Sequence, residues 1–231
     1  GTGRAAAAPP LPMFLADWFE GFCEFHLARH PSDGRTQLRC WESGSAEPFL
    51  DARETRETYR QVARLLTRAF DLRSSTQIYP WHHAAGDFVV RRGRGGPQVK
   101  LVSVRRYGAT LEFPGLSDPA RADEARFLGL LVFFLNLTVR MRLDRLEGTG
   151  ETAWAGPEAV APTVEGFAEG LPAELAADWL PQVKGWSAGQ LQALLGPVAD
   201  FYGLMAQEAE VIACGLPGHA RDLARALEAW S

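Results

Sequence analysis

One stretch constrains this chain more than any other: Tyr79 to Tyr107, reading YPWHHAAGDFVVRRGRGGPQVKLVSVRRY. Most of the chain around it carries helical periodicity. Here the pattern turns strand-like, with Val89, Val99, Leu101 and Val102 supplying β-branched and apolar positions. Residues 87–92 and 98–106 are expected as two strands, and the intervening Gly93–Pro97 is turn chemistry. A hairpin set among helices restricts the fold to the α+β class. Leu111 and Phe113 suggest a further short strand before Pro114–Gly115.

The helices follow from apolar spacing. In residues 13–29, Phe14, Trp18, Phe22 and Phe25, with Leu15 and Phe19, recur at helical intervals and predict a core-facing helix. Residues 31–48 hold Pro31, Gly34, Gly44 and Pro48 and should be mostly loop, with a short strand at Gln37–Trp41. Residues 49–72 predict a helix with Tyr59, Val62, Leu66 and Phe70 inward. Arg53, Arg56, Arg60, Arg64 and Arg68 make a ridge on it, open to a solvated or a phosphate-contacting reading, with Glu54 and Glu57 able to pair with part of it.

Residues 119–146 should form the longest helix, apolar in its middle and basic at its end. A loop follows at Gly148–Pro157, then helices near 157–170, 172–184, 187–213 and 217–230, with Pro172, Pro181, Pro197 and Pro217 marking starts or kinks. Together these predict an α+β, mainly helical single domain over residues 13–231, with a small central antiparallel β-hairpin or three-stranded sheet. The predicted helices 13–29 and 119–146 supply much of its core.

Composition sets limits on function. With 46% hydrophobic and 23% charged residues, the chain can bury a sizeable core. The net charge of −4 argues against a general nucleic-acid binder. That charge is uneven: residues 1–146 carry a net +5 and residues 147–231 a net −9. Either the two parts neutralise each other on packing, or a basic face is kept for an anionic partner. Of the 24 basic residues only Lys100 and Lys184 are lysine, a bias that accompanies abundant alanine and glycine and reads as genome composition.

Cys23, Cys40 and Cys214 are odd in number and widely spaced, which argues against a disulfide framework and fits a reducing cytoplasm. Residues 1–12, GTGRAAAAPPLP, read as a flexible leader. The longest apolar run, Phe127–Leu135, is far short of the roughly 20 residues a membrane span needs.

His82, His83 and Asp87 are the candidates for acid–base or metal chemistry. His82 and Asp87 are the catalytic candidates if the chain is an enzyme. Adjacent histidines on a strand point to opposite sides, and His26 and His30, four apart on the predicted first helix, lack an evident third ligand, so no metal is expected. Arg91, Arg92, Arg94, Lys100, Arg105 and Arg106 fall within sixteen residues free of acids and should create a positive potential suited to phosphate or carboxylate. The glycines of Gly93–Gly96 lack the lysine and hydroxyl ending of a phosphate loop, no GxSxG elbow occurs, and Cys214 near His219 has no supporting spacing.

The order of helix 52–72, HHAAGDFVV, two strands and helix 119–146 resembles the C-terminal lobe of kinase-like phosphotransferases of the aminoglycoside phosphotransferase and lipopolysaccharide core kinase type. The resemblance covers residues 50–146. It implies that Asp87 stands at the position of a metal-binding asparagine, that His82 stands at the base aspartate, and that the second metal-binding position falls near Arg105 in VSVRRYG. An arginine there opposes magnesium, and only about 50 residues precede the helix at 49–72, so a degenerate lobe is implied. The expectation is a cytoplasmic binding protein without a cofactor, holding an anionic small molecule or protein partner through His82, His83, Asp87, Arg91, Arg105 and Arg106. The competing classes are a divergent phosphotransferase, a metal-assisted hydrolase and a protein-interaction scaffold.

Overall fold

The computed structural model describes residues 18–41, 48–82, 86–109, 120–200 and 206–230. The predicted leader, residues 13–17 of the first predicted helix, His83, and the strand expected around Leu111 and Phe113 lie outside these. The described residues are 53% helical with 18% strand, an α+β, mainly helical arrangement with small antiparallel sheets.

Strands β1 (Phe25–Arg29) and β2 (Thr36–Cys40) come first, followed by helix α1 (Ala52–Arg68) and β3 (Thr76–Ile78). Strands β4 (Phe88–Arg91) and β5 (Gln98–Leu101) form the central hairpin, and β6 (Tyr107–Ala109) returns to pair with β3. Helix α2 (Ala122–Arg140) leads into a short hairpin, β7 (Leu143–Arg145) and β8 (Thr152–Trp154). Helices α3 (Val160–Gly170), α4 (Ala173–Val183), α5 (Ala188–Asp200) and α6 (Ala206–Ala229) complete the described chain. Among the described residues the strands form four two-stranded antiparallel pairs.

Helix α1 starts on a capping box. The Asp51 side chain accepts from the Glu54 N–H at 2.7 Å, and the Glu54 side chain accepts from the Asp51 N–H at 3.0 Å. Its buried stripe, Tyr59, Val62, Ala63 and Leu66, lies against α3. Two glycines permit the close approach: a Cβ at Gly166 would sit 2.1 Å from the Arg60 carbonyl oxygen, and one at Gly170 would sit 2.5 Å from Thr67 Cβ. Around α2, the rings of Phe134, Phe167 and Trp179 meet with centroids 4.7–5.1 Å apart, joining α2, α3 and α4 in one apolar cluster.

Four sequence expectations are corrected. Phe25–Arg29 is a strand, not the end of a helix. Phe25, His26, Leu27 and Ala28 are consecutively buried, so the strand is covered on both faces, and a continuous apolar run does not separate helix from buried strand. The helix predicted to run to residue 146 ends at Arg140, β7 takes residues expected at its end, and β8 lies in the expected loop at Gly148–Pro157. Asp144 in β7 fastens this hairpin to β1 by accepting the Leu27 N–H at 2.7 Å. Pro217 does not start a helix: α6 runs through it and, at 24 residues, exceeds α2 in length. The buried stripe Ile212, Leu216, Ala220, Leu223 and Leu227 spans the proline, and its burial outweighs one missing hydrogen bond. No helix among the described residues is long and apolar enough to cross a membrane.

Candidate functional site

The β4–β5 hairpin sorts the candidate residues by its period of two. Phe88, Val90 and Val99 turn into the core, while Arg91 and Gln98, a cross-strand pair, stay at the surface. The hairpin also separates the candidates along its length. Asp87 stands at the root and Arg91 at the turn, four residues or roughly 13 Å of strand away.

At the root, Gly86 has φ +66° and turns the chain into β4. Asp87 follows with 0% exposure. Its Oδ2 accepts the His82 N–H at 2.9 Å, and Arg105 Nε donates to Oδ1 at 3.1 Å and to Oδ2 at 3.2 Å. The Asp87 carbonyl accepts the Val102 N–H at 2.9 Å. A fully buried carboxylate needs such donors, because an unpaired one would carry its whole desolvation penalty. The His82 ring, with its side chain 15% exposed, lies 3.6 Å from Glu208 Oε1 through Nε2. Glu208 comes from α6 and also accepts from Arg140 Nη1 at 3.1 Å, while Arg140 Nη2 donates to the Trp81 carbonyl at 2.9 Å. The hydrogen bond from His82 and the Arg140 charge hold the Glu208 carboxyl below its usual range against the opposing effect of burial. Burial pushes the nearby Tyr79 hydroxyl up.

At the turn, a cleft of about 430 Å³ is lined by Arg91, Arg92, Arg94, the glycines of the turn, Gln98 and, from α1, Glu57 and Gln61. Gln61 fastens the turn to α1, donating to the Pro97 carbonyl at 2.8 Å and accepting the Val99 N–H at 2.9 Å. Arg92 forks onto Glu54, with bonds of 2.9 and 2.8 Å. Arg91 donates to Gln98 at 2.7 Å and its guanidinium lies 4.8 Å from the Phe22 ring centroid. Lys100 Nζ lies 3.8 Å from the Phe19 centroid. Among the described residues, Arg91, Arg94, Lys100 and Arg106 have no carboxylate partner.

The structure thus brings His82, Asp87 and Arg105 together and sets Arg91 apart from them. Arg106 is exposed, and its carbonyl accepts the Tyr79 N–H at 3.1 Å. The sequence missed Glu208 and assigned Glu54 to the α1 ridge instead of Arg92, because each reaches its arginine across a long chain separation. The basic end of α2 was the one visible signal for Arg140.

The helical ridge differs. Arg56 pairs with Glu165, Arg60 with Glu57 and Glu169, and Arg64 with Glu169. Glu57 lies on α1 itself, while Glu165 and Glu169 belong to α3, so the basic and acidic parts of the chain neutralise each other here.

Of the remaining histidines, His30 is part-exposed, 2.7 Å from the Ser32 hydroxyl, while His26 and His219 are set in packing. His26 is buried in β1 rather than on a helix, between Asp144, 3.9 Å away, and Glu24, 3.3 Å away. Burial opposes its charged form, but the two carboxylates outweigh that and raise its pKa. His219 is buried on α6 at 3.0 Å from the Thr138 hydroxyl, its pKa lowered to about 3 by burial and by the Arg142 charge. Cys214 is exposed on the same helix. Among the described residues no group of three or more histidine, cysteine or acidic side chains could hold a metal ion.

Compared with family models, curated proteins and solved structures, the chain finds no match in any of the three.

Proposed function

We propose that the chain is a cytoplasmic binding protein that holds a phosphate- or carboxylate-bearing ligand at the turn of the β4–β5 hairpin. One observation carries this reading. Of the six cations in the hairpin stretch, Arg92 and Arg105 are held by carboxylates, while Arg91, Arg94, Lys100 and Arg106 have none among the described residues. Arg91 and Arg94 line the same cleft, whose one acid, Glu57, is occupied by Arg60. Unneutralised guanidinium groups beside a glycine-rich backbone suit an anion.

The order α1, β3, His82 and Asp87, β4–β5 hairpin and β6 supports the resemblance to a kinase-like lobe. The Arg105–Asp87 pair supports its degenerate form: the carboxylate matched to a metal ligand is engaged by a guanidinium. The free cysteines support a reducing compartment. Calorimetry with pyrophosphate tests the reading. Binding should weaken with salt and disappear in Arg94→Glu. Salt-insensitive binding, or binding unchanged by that reversal, rejects it.

A second reading, an enzyme acting through His82 and Asp87, draws on the His82–Glu208 contact, since a carboxylate behind an imidazole suits a general base. Magnesium-dependent ATP turnover that disappears in Asp87→Ala would favour the phosphotransferase. One zinc per chain, lost in His82→Ala, would favour the hydrolase.

A further inference from the structure

A second cleft lies against the first. Trp18, Phe19, Phe22, Val89 and Val102, with Gly86 and Glu24, line a cleft of about 360 Å³ on the outward face of the β4–β5 hairpin. Its walls are aromatic and its floor is the alternate strand positions that do not enter the core. Trp18 is 88% exposed and Val102 43% exposed, so both are open to a ligand. The two clefts meet at Arg91, which lines the turn cleft and stacks on Phe22, a wall of the aromatic one. Val89 and Arg91 share a strand face, one repeat of roughly 6.6 Å apart.

Charge is distributed unequally along this double cleft. Glu24 stands at the Gly86 end, where a Cβ on that glycine would sit 2.8 Å from its Oε1, and it is engaged there by His26. Lys100 and Arg91 stand at the other end, lying over Phe19 and Phe22, with Arg94 beyond them at the turn. An anion entering the aromatic cleft is repelled from one end and attracted to the other. Sites of this size typically combine an apolar lining with a few polar groups that fix orientation.

Resting on the anion-binding reading above, we infer that the ligand is an aromatic acid, an aryl phosphate or aryl carboxylate, whose ring enters the Trp18–Phe22 cleft while its acid meets Arg91, Lys100 and Arg94. Flat aromatic walls favour a planar ring by offset or edge packing. A flexible acyl chain would lose rotamer freedom in the same space.

The test uses the full chain and three probes, inorganic phosphate, phenyl phosphate and hexyl phosphate, with affinity read by calorimetry. Phenyl phosphate should bind at least about tenfold tighter than inorganic phosphate, because the ring buries apolar surface. Hexyl phosphate should fall between them. Trp18→Ala and Val102→Ala, both neutral changes at exposed positions, should remove the advantage of the ring and leave inorganic phosphate binding unchanged. Equal affinity for phenyl and inorganic phosphate overturns the aromatic inference and leaves the anion reading standing. Hexyl phosphate binding tighter than phenyl phosphate overturns it in favour of an acyl chain. If none of the three binds, the anion reading itself fails, and the inference with it.

Discussion

Two arginine-rich regions of this chain meet opposite fates. The ridge on α1 and the β4–β5 hairpin are comparably basic in sequence. On α1, the step of four residues carries Arg56, Arg60 and Arg64 along one side, where α3 presents Glu165 and Glu169 with the same step. Gly166 and Gly170 bring the helices close enough for those charges to pair. Beside the hairpin turn α1 sets Glu54 and Glu57, and Glu57 is already held by Arg60. Arg92 finds Glu54, Arg105 finds Asp87, and the turn retains its charge. Charge density in a sequence therefore does not equal free charge in a fold. What decides is whether the neighbouring element carries acids at a matching period.

The largest expected effect tests the hairpin root. Asp87→Ala removes a fully buried carboxylate that satisfies the His82 N–H and Arg105. We expect a loss of about 3 kcal/mol in urea denaturation, since the change removes charge-assisted hydrogen bonds to the His82 N–H and to the half-exposed Arg105 and leaves that N–H without its acceptor. A loss under about 1 kcal/mol would mean that the root is held as loosely as the turn.

The same contrast recurs with histidines in the core, and pH exposes it. His26 lies between carboxylates, as the ridge does, whereas His219 has the Arg142 charge beside it. With its folded pKa depressed to about 3, His219 takes up its proton first in the unfolded chain. Stability therefore falls as pH drops from about 6.5 towards 3, by about 2 kcal/mol between pH 6.5 and 5. His26 acts oppositely. Its raised pKa contributes stability that is fully present below about 6.5 and is lost as pH rises through its folded value. Denaturation midpoints at pH 7 and pH 5 should converge in His219→Gln relative to the native chain. An unchanged difference would show that His219 is not the group responsible.

A smaller effect is expected on the ridge. Glu169→Lys sets a cation against Arg60 and Arg64, both part-exposed, and should cost about 1 kcal/mol, or about 2–4 °C in Tm. Adding Arg60→Glu should recover part of the loss. No recovery would mean that the pairs do not couple in solution, and the ridge would then be as unpartnered as the turn.

These distinctions were legible in the sequence only where they are local. Helix α1 could be read from its apolar period, and the β4–β5 hairpin from alternation around GRGGP. The burial of α2 followed from its apolar run. Strand β1 could not be read, because a run buried on both faces loses its alternation. Nor could the passage of α6 through Pro217, which depends on packing against distant helices. At the candidate site, His82, Asp87 and Arg105 could be named from their residue types. That Arg105 rather than Arg106 meets Asp87 depends on where the chain goes after β5. Glu208 reaches His82 from 126 residues away, and no spacing rule spans that distance.

The smallest expected effect separates two adjacent arginines. Arg105→Glu sets a carboxylate against the buried Asp87 and should lower stability measurably. Arg106→Glu changes an exposed residue without a carboxylate partner among the described residues, so its stability should stay within about 0.5 kcal/mol of the native chain. Its effect on anion binding should also be small and dependent on salt. Arg106 adjoins the root, and β4 alone sets root and turn roughly 13 Å apart, beyond the Debye length of about 8 Å at 0.15 M salt. Calorimetry with pyrophosphate should therefore show weaker binding of Arg106→Glu at 10 mM salt, where screening extends to about 30 Å, and no difference at 150 mM. A tenfold loss that persists at 150 mM would mean that the anion sits at the root beside Arg106, and the contrast between a neutralised root and a free turn would have to be reversed.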